Sequence, residues 1–243
     1  MSWAKIITIV VAIALVIGGA VWAYQVFEAS ESIDVITENW SVSGHADRAS
    51  ESFIHWDEDE PVVIPKNCAK CHSLYGYLDY LGVDGSAMRI VDSPAKTGTV
   101  LYCNTCHNET GHNLDVVFFP DVAEIDGIGR WANCMRCHQG RTSTATVREV
   151  TEGLADDEVS EELTFVNVHY AIAAATRHGS EVSGGYEYAG RSYEGWYPHT
   201  EDYDACTECH DAHSTQINPA ICQPCHSNVV NYQLRRHVRH PCK

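Results

Sequence analysis

The sequence is poor in basic residues, in methionine and in long apolar runs. Its 16 lysine and arginine residues stand against 33 acidic ones, which gives the 243-residue chain a formal net charge of -17 at pH 7. A chain this acidic repels phosphate backbones, so we expect no nucleic-acid partner. Methionine occurs only 3 times. Apart from residues 6–24 the chain has no uncharged apolar stretch long enough to cross a bilayer, which limits it to one candidate membrane span.

Cysteine, in contrast, is plentiful, and 10 of the 11 cysteines fall in five copies of the pattern Cys-x-x-Cys-His. The copies are Cys68, Cys71, His72; Cys103, Cys106, His107; Cys134, Cys137, His138; Cys206, Cys209, His210; and Cys222, Cys225, His226. Zinc knuckles also use paired cysteines, but they do not require a histidine directly after the second one. Covalent haem attachment does, because the two thiols bond to the porphyrin and the adjacent histidine binds the iron. The pattern therefore predicts five covalently bound haem c groups. Cys242 is left over, as a free thiol, an attachment point or half of a truncated pair.

Five haems in so short a chain leave little room for an aliphatic core. The predicted fold class is a mostly irregular and α-helical multihaem cytochrome c fold, organised around five haems, with one N-terminal transmembrane helix. Residues 1–26 would form the anchor, residues 27–64 an extended acidic linker, and residues 65–243 the pentahaem domain. Within that domain, alanines and a closing glycine predict a soluble helix over residues 160–178.

The N-terminal apolar run is followed by acidic residues, and the next base is Arg48, whereas Lys5 precedes it. The positive-inside rule then places the N-terminus in the cytoplasm and the cytochrome domain in the periplasm or outside the cell. A cleaved signal peptide is the alternative, with Val21-Trp22-Ala23 as a passable cleavage site. We favour an uncleaved anchor in the cytoplasmic membrane, because the run is longer than a usual signal core.

The sixth ligand of each iron decides whether the haems carry electrons or do chemistry. Only Met88 is available as a methionine ligand, whereas nine histidines remain beyond the five motifs. We therefore expect bis-histidine, low-potential haems and no catalytic residues. The predicted distal ligands are His55, His112, His169, His199 and His213, with His237 and His240 as alternatives to His55. His169 and His178 would lie on opposite faces of the predicted helix, and we assign no role to His178.

The chain resembles membrane-anchored multihaem c-type cytochromes. Between Cys134 and His213, "CMRCHQGR", "NVHY", "GGYEYAGRSYEG", His199 and "CTECHDAH" are similar to a segment of periplasmic and extracellular multihaem cytochromes. The resemblance implies bis-histidine haems and supports His169, His199 and His213 as distal ligands. One anchor and five haems are also similar in architecture to the pentahaem subunit of alternative complex III.

The function expected from the sequence is electron transfer between a membrane donor, such as a respiratory complex, and an acceptor outside the membrane. Two alternatives stay open. One is a subunit of a haem filament, which would bring in homo-oligomeric contacts. The other is a multihaem reductase with one open haem.

Overall fold

The N-terminal part of the chain is one long helix. The structure, a computed structural model, describes residues 3–120, 123–155, 157–196, 199–200, 203 and 205–229. Helix α1 runs from Trp3 to Ser41, and its segment Trp3–Trp22 is long and apolar enough to cross a membrane. Leu15 and Val16 are each 72% exposed, so this segment is not the core helix of a soluble fold. The predicted N-terminal apolar helix is confirmed in its length and composition.

The chain divides into two compact units. The first consists of residues 1–47 with the short segment 212–215, and the second of residues 48–211 with residues 216–243. Because α1 continues to Ser41, the prediction of an extended linker is wrong for residues 27–41.

The second unit is built from short helices joined by irregular segments. Its α-helices are α2 (Glu51–Ile54), α3 (Lys66–His72), α4 (Leu74–Tyr80), α5 (Cys103–Cys106), α6 (Glu109–His112), α7 (Ala132–His138), α8 (Thr144–Val150), α9 (Ala173–His178), α10 (Cys206–Cys209) and α11 (Pro219–Cys222). Single turns of 3-10 helix span Gly129–Trp131 and Gly179–Val182. Strands β1 (Val63–Ile64) and β2 (Ala95–Lys96) pair antiparallel, as do β3 (Val117–Phe118) and β4 (Glu124–Ile125). The predicted mostly helical and irregular character is confirmed in this respect.

A small core holds the second unit together. Helix α4 contributes Tyr77 and Leu81 at its C-terminal side, α7 contributes Met135, and α9 contributes Ala175, all of them buried. Helices α3 and α4 pack closely, and Gly76 allows this because it has no side chain. A β-carbon at Gly76 would collide with the backbone of Ala69. This core brings α4, α7 and α9 into one neighbourhood. Helix α3, which carries the first motif, packs against α4 and α7.

The helix predicted over residues 160–178 is wrong for most of its length. Helix α9 begins only at Ala173, and residues 163–169 are irregular. His169 and Ala171 have φ angles of 84° and 52°, in the left-handed region that a right-handed helix cannot contain. Asn167 also accepts a hydrogen bond from the backbone N–H of His169 at 2.8 Å, which competes with helical bonding.

Candidate cofactor site

Each paired-cysteine motif starts on one turn of helix. Helices α3, α5, α7 and α10 carry both cysteines of the first four motifs, and α11 ends at Cys222 of the fifth. In a helix, residues three apart lie on the same face, so both sulfurs of a pair point to one side. This local geometry suits two bonds to a single planar group.

The fifth motif differs from the other four in its sulfur chemistry. Cys225 is disulfide-bonded, whereas Cys222 and the eight cysteines of the first four motifs are free thiols. A sulfur cannot hold a disulfide and a thioether together. This disulfide and haem attachment at Cys225 therefore exclude each other, and a haem at the fifth motif needs Cys225 as a free thiol.

The first and third motifs touch through their second cysteines. The Cys71 thiol donates to the Arg136 carbonyl oxygen at 3.9 Å, and the Cys137 thiol donates to the Lys70 carbonyl oxygen at the same distance. The closeness of the two thiols lowers the pKa of Cys71 to about 7 and raises that of Cys137 well above its usual range. These two motifs are neighbours although 65 residues stand between their second cysteines.

The third motif also touches the fourth. The interaction between the Cys134 and Cys206 thiols raises the pKa of Cys134 and lowers that of Cys206 to about 7. On the side of the second motif, Asn133 accepts a hydrogen bond from the Tyr77 hydroxyl at 2.8 Å and donates to the Gly111 carbonyl oxygen at 2.9 Å. The third motif thus lies between elements of the first, second and fourth.

Two motif histidines are oriented through the nitrogen that would not bind a metal. Nδ1 of His72 lies 2.7 Å from the carbonyl oxygen of Ser52, and Nδ1 of His138 lies 2.7 Å from that of Ala171. A carbonyl can only accept, so each Nδ1 carries the proton and each Nε2 presents a lone pair. Metal-binding histidines usually show this arrangement. Burial lowers the pKa of His72, which also favours its neutral form.

Opposite His72 lies the first predicted distal ligand. Nε2 of His169 is 3.4 Å from Nε2 of His72, and the two ring centroids are 5.7 Å apart. A metal–imidazole bond is about 2.0 Å long, so two imidazoles on opposite sides of one ion hold their nitrogens about 4 Å apart. Burial lowers the pKa of His169, with a smaller contribution from His72. Both imidazoles are therefore neutral, and a small movement would bring their Nε2 atoms to the separation that a shared metal ion requires.

Two further predicted distal ligands also lie beside motif histidines. The rings of His107 and His112 are 6.0 Å apart, and those of His199 and His226 are 6.1 Å apart. Only four residues separate His107 from His112, which leaves a short chain segment to pass round any group held between the two rings. His112 is therefore equally suited to an adjacent group.

The remaining predicted ligands are placed differently. His55 is 61% exposed, and its Nδ1 lies 2.8 Å from a carboxylate oxygen of Glu51. The Trp56 ring contacts the rings of both His55 and His72. His213 belongs to the segment 212–215 of the first unit, which also contains His45. His237 and His240 lie outside the described residues.

A short irregular segment, residues 167–172, fixes both His169 and the partner of His138. The Val168 carbonyl oxygen of this segment accepts a hydrogen bond from the backbone N–H of Arg141 at 3.3 Å. Gly140 has φ 82°, and a β-carbon there would lie 2.9 Å from the same oxygen. The absence of a side chain at Gly140 therefore lets segment 167–172 cross directly over the chain that follows the third motif.

His178 is the residue that sequence reasoning missed. Its side chain is buried, its Nδ1 lies 3.1 Å from Oε2 of Glu181, and its Nε2 has no hydrogen-bond partner. The Phe119 ring lies 5.6 Å away, and α9 packs on α7. A carboxylate on one imidazole nitrogen and an open second nitrogen is a metal-ligand arrangement. The glutamate three residues later was the signal available in the sequence.

Comparison with known proteins finds no matching family model, no matching curated protein and no matching solved structure. Among the described residues, no group of three or more histidine, cysteine, aspartate or glutamate side chains is arranged to hold a metal ion. The site must therefore be interpreted from its own geometry.

Proposed function

We propose that this chain is a membrane-anchored electron-transfer protein that holds one haem c group at each of its five Cys-x-x-Cys-His motifs. The observation that carries the proposal is the approach of the Nε2 atoms of His72 and His169 to 3.4 Å. Both rings are neutral by burial, and the Nδ1–H of His72 is held by a backbone carbonyl. The residues present thus fit two axial imidazoles of one iron.

The residues that would hold the haems divide into three sets. The attachment residues are Cys68, Cys71, Cys103, Cys106, Cys134, Cys137, Cys206, Cys209, Cys222 and Cys225. The proximal ligands are His72, His107, His138, His210 and His226, and the distal candidates are His55, His112, His169, His199 and His213, to which we add His178 because its buried Nε2 has no hydrogen-bond partner. Haem, when bound, supplies one-electron redox chemistry at its iron. The chain's own part is to orient the imidazoles, to exclude water and to keep the groups close together.

The contacts between motifs favour a branched arrangement over a linear one. The third motif touches the first through Cys137 and the fourth through Cys134. Groups attached there would be neighbours in a different order from that of the sequence. Electrons entering at the first motif would then reach the fourth through the third, without passing the second.

The surroundings of the protein follow from the anchor and the charge. Helix α1 would hold the second unit at the outer face of the cytoplasmic membrane, in keeping with the positive-inside rule. The donor would be a membrane respiratory complex, and the acceptor a protein or group outside the membrane. The net charge of -17 favours a partner with a basic docking face.

Haem stoichiometry and carbon monoxide binding test the proposal. The full chain is produced with a c-type haem attachment system, purified in detergent and assayed for haem per polypeptide. We expect five haems, and four in the Cys103→Ser/Cys106→Ser variant, which serves as an internal calibration. After reduction with dithionite, no haem should bind carbon monoxide.

Two results would contradict the proposal in different ways. Protein that contains zinc and no haem would overturn it entirely. Five haems, of which one binds carbon monoxide, would instead favour a reductase with an open haem, or a filament subunit whose sixth ligand comes from a neighbouring copy.

A further inference from the structure

Arg136, between the two cysteines of the third motif, is a buried charge. It is only 2% exposed. One of its guanidinium nitrogens, Nη2, donates to the Val116 carbonyl oxygen at 3.0 Å. The other two, Nε and Nη1, are buried without a hydrogen-bond partner. A guanidinium carries five N–H donors and stays protonated, so most of its bonding capacity is unused here.

A second cation contacts the same aromatic ring as Arg136. The Arg136 guanidinium is 5.4 Å from the centre of the Tyr80 ring, and Nζ of Lys70 is 5.2 Å from the same centre. The ring attracts both cations, yet it carries no net charge. In the part of the chain that the structure describes, neither cation forms a salt bridge with a carboxylate.

An unpaired cation in a protein interior is strongly disfavoured, because burial removes its hydration and returns nothing in exchange. The native state therefore needs an anion at this place. Solvent cannot supply one easily, since the guanidinium is closed off from it. The missing anion must then be part of something that is built into the interior.

We propose that Arg136 binds a propionate carboxylate of a haem held by a neighbouring motif. The inference rests on the proposed function, because only bound haem brings a carboxylate into this interior. The planar guanidinium matches a carboxylate in a bidentate manner, and Nε and Nη1 are the two unused donors that one carboxylate would fill. Arg136 is thus a cofactor-binding residue that also sets a reduction potential.

The charge of Arg136 should raise the midpoint potential of one haem. Pairing with the guanidinium neutralises the propionate, and an unneutralised propionate favours the more positive ferric state. In the full-length holoprotein, Arg136→Gln should therefore lower the midpoint of one of the five haems and leave the other four unchanged. Arg136→Lys, which keeps the charge but loses the bidentate geometry, should show a smaller decrease. The matched control is Arg130→Gln, which removes the same charge from an exposed side chain.

Spectroelectrochemical titration, with haem per polypeptide measured on each sample, separates the outcomes. If Arg136→Gln retains five haems and the wild-type midpoints, the inference is overturned while the proposed function stands. A decrease of equal size in Arg130→Gln would also overturn it, because the effect would then be one of net charge alone. If Arg136→Gln fails to accumulate as a holoprotein, Arg136→Lys is the test. One lowered midpoint in Arg136→Lys supports the inference, and five unchanged midpoints overturn it. Wild-type protein without haem would instead remove the proposed function.

Discussion

The Nε2 atoms of His72 and His169 face each other at 3.4 Å, although 97 positions separate the two residues in sequence. His72 ends helix α3, and its Nδ1 is held by the Ser52 carbonyl. His169 lies in the irregular segment 167–172, with φ 84°. Strained backbone persists only where the surrounding structure enforces it, and it concentrates at functional sites. The approach of these two rings is therefore imposed by the fold from both sides.

Replacing His169 should open one haem to external ligands. In His169→Ala, the iron bound by His72 would lose its sixth ligand, so about one haem in five should bind carbon monoxide after reduction. The control is Tyr170→Ala, the next residue in the chain, which is 81% exposed. A carbon monoxide difference spectrum of both variants tests whether His169 is that sixth ligand. Equal spectra for His169→Ala and wild-type protein would contradict the assignment of His169.

Filling Gly140 should displace segment 167–172. Gly140→Ala combines an unfavourable positive φ with a β-carbon 2.9 Å from the Val168 carbonyl oxygen. Gly153→Ala is a close control, because Gly153 has φ 86° and open space around it. A strained left-handed residue costs about 1–3 kcal/mol. Gly153→Ala should lose this much in unfolding free energy, and Gly140→Ala should lose more because of the added clash. Only Gly140→Ala should also gain carbon monoxide binding, through displacement of His169. If the two variants behave alike in both assays, the close contact at Gly140 has no role in ligation.

His178 is expected to behave as an iron ligand. His178→Phe keeps an aromatic ring beside Phe119 but removes the open Nε2. One haem of this variant should therefore bind carbon monoxide, whereas none should in the wild-type protein. The melting temperature shows whether the core still packs. A variant that is stable and does not bind carbon monoxide would mean that His178 is only a core residue, hydrogen-bonded to Glu181.

Sequence reasoning was sufficient where the determinant is local. A long apolar run makes a long apolar helix, so the N-terminal part of α1 could be predicted. The pairing of His72 with His169, in contrast, depends on how residues 163–172 cross the third motif. Helix propensity alone predicted a helix there and concealed the left-handed turns at His169 and Ala171. His178 was missed because only tertiary packing against Phe119 shows that it is buried.

The last prediction concerns helix α1 and separates an anchor from a cleaved signal peptide. Its exposed apolar surface, with Leu15 and Val16 each 72% exposed, is stable only in contact with lipid or detergent. The wild-type protein should therefore stay in the membrane fraction after alkaline carbonate extraction. Its intact mass should include residues 1–23. In a variant whose residues 1–25 are exchanged for a cleavable signal peptide, the haem protein should become soluble with an unchanged haem content. Because the exchanged residues belong to the first unit, the second unit should not depend on them for folding. A soluble wild-type protein whose mass begins after Ala23 would show that the segment serves export and is then removed.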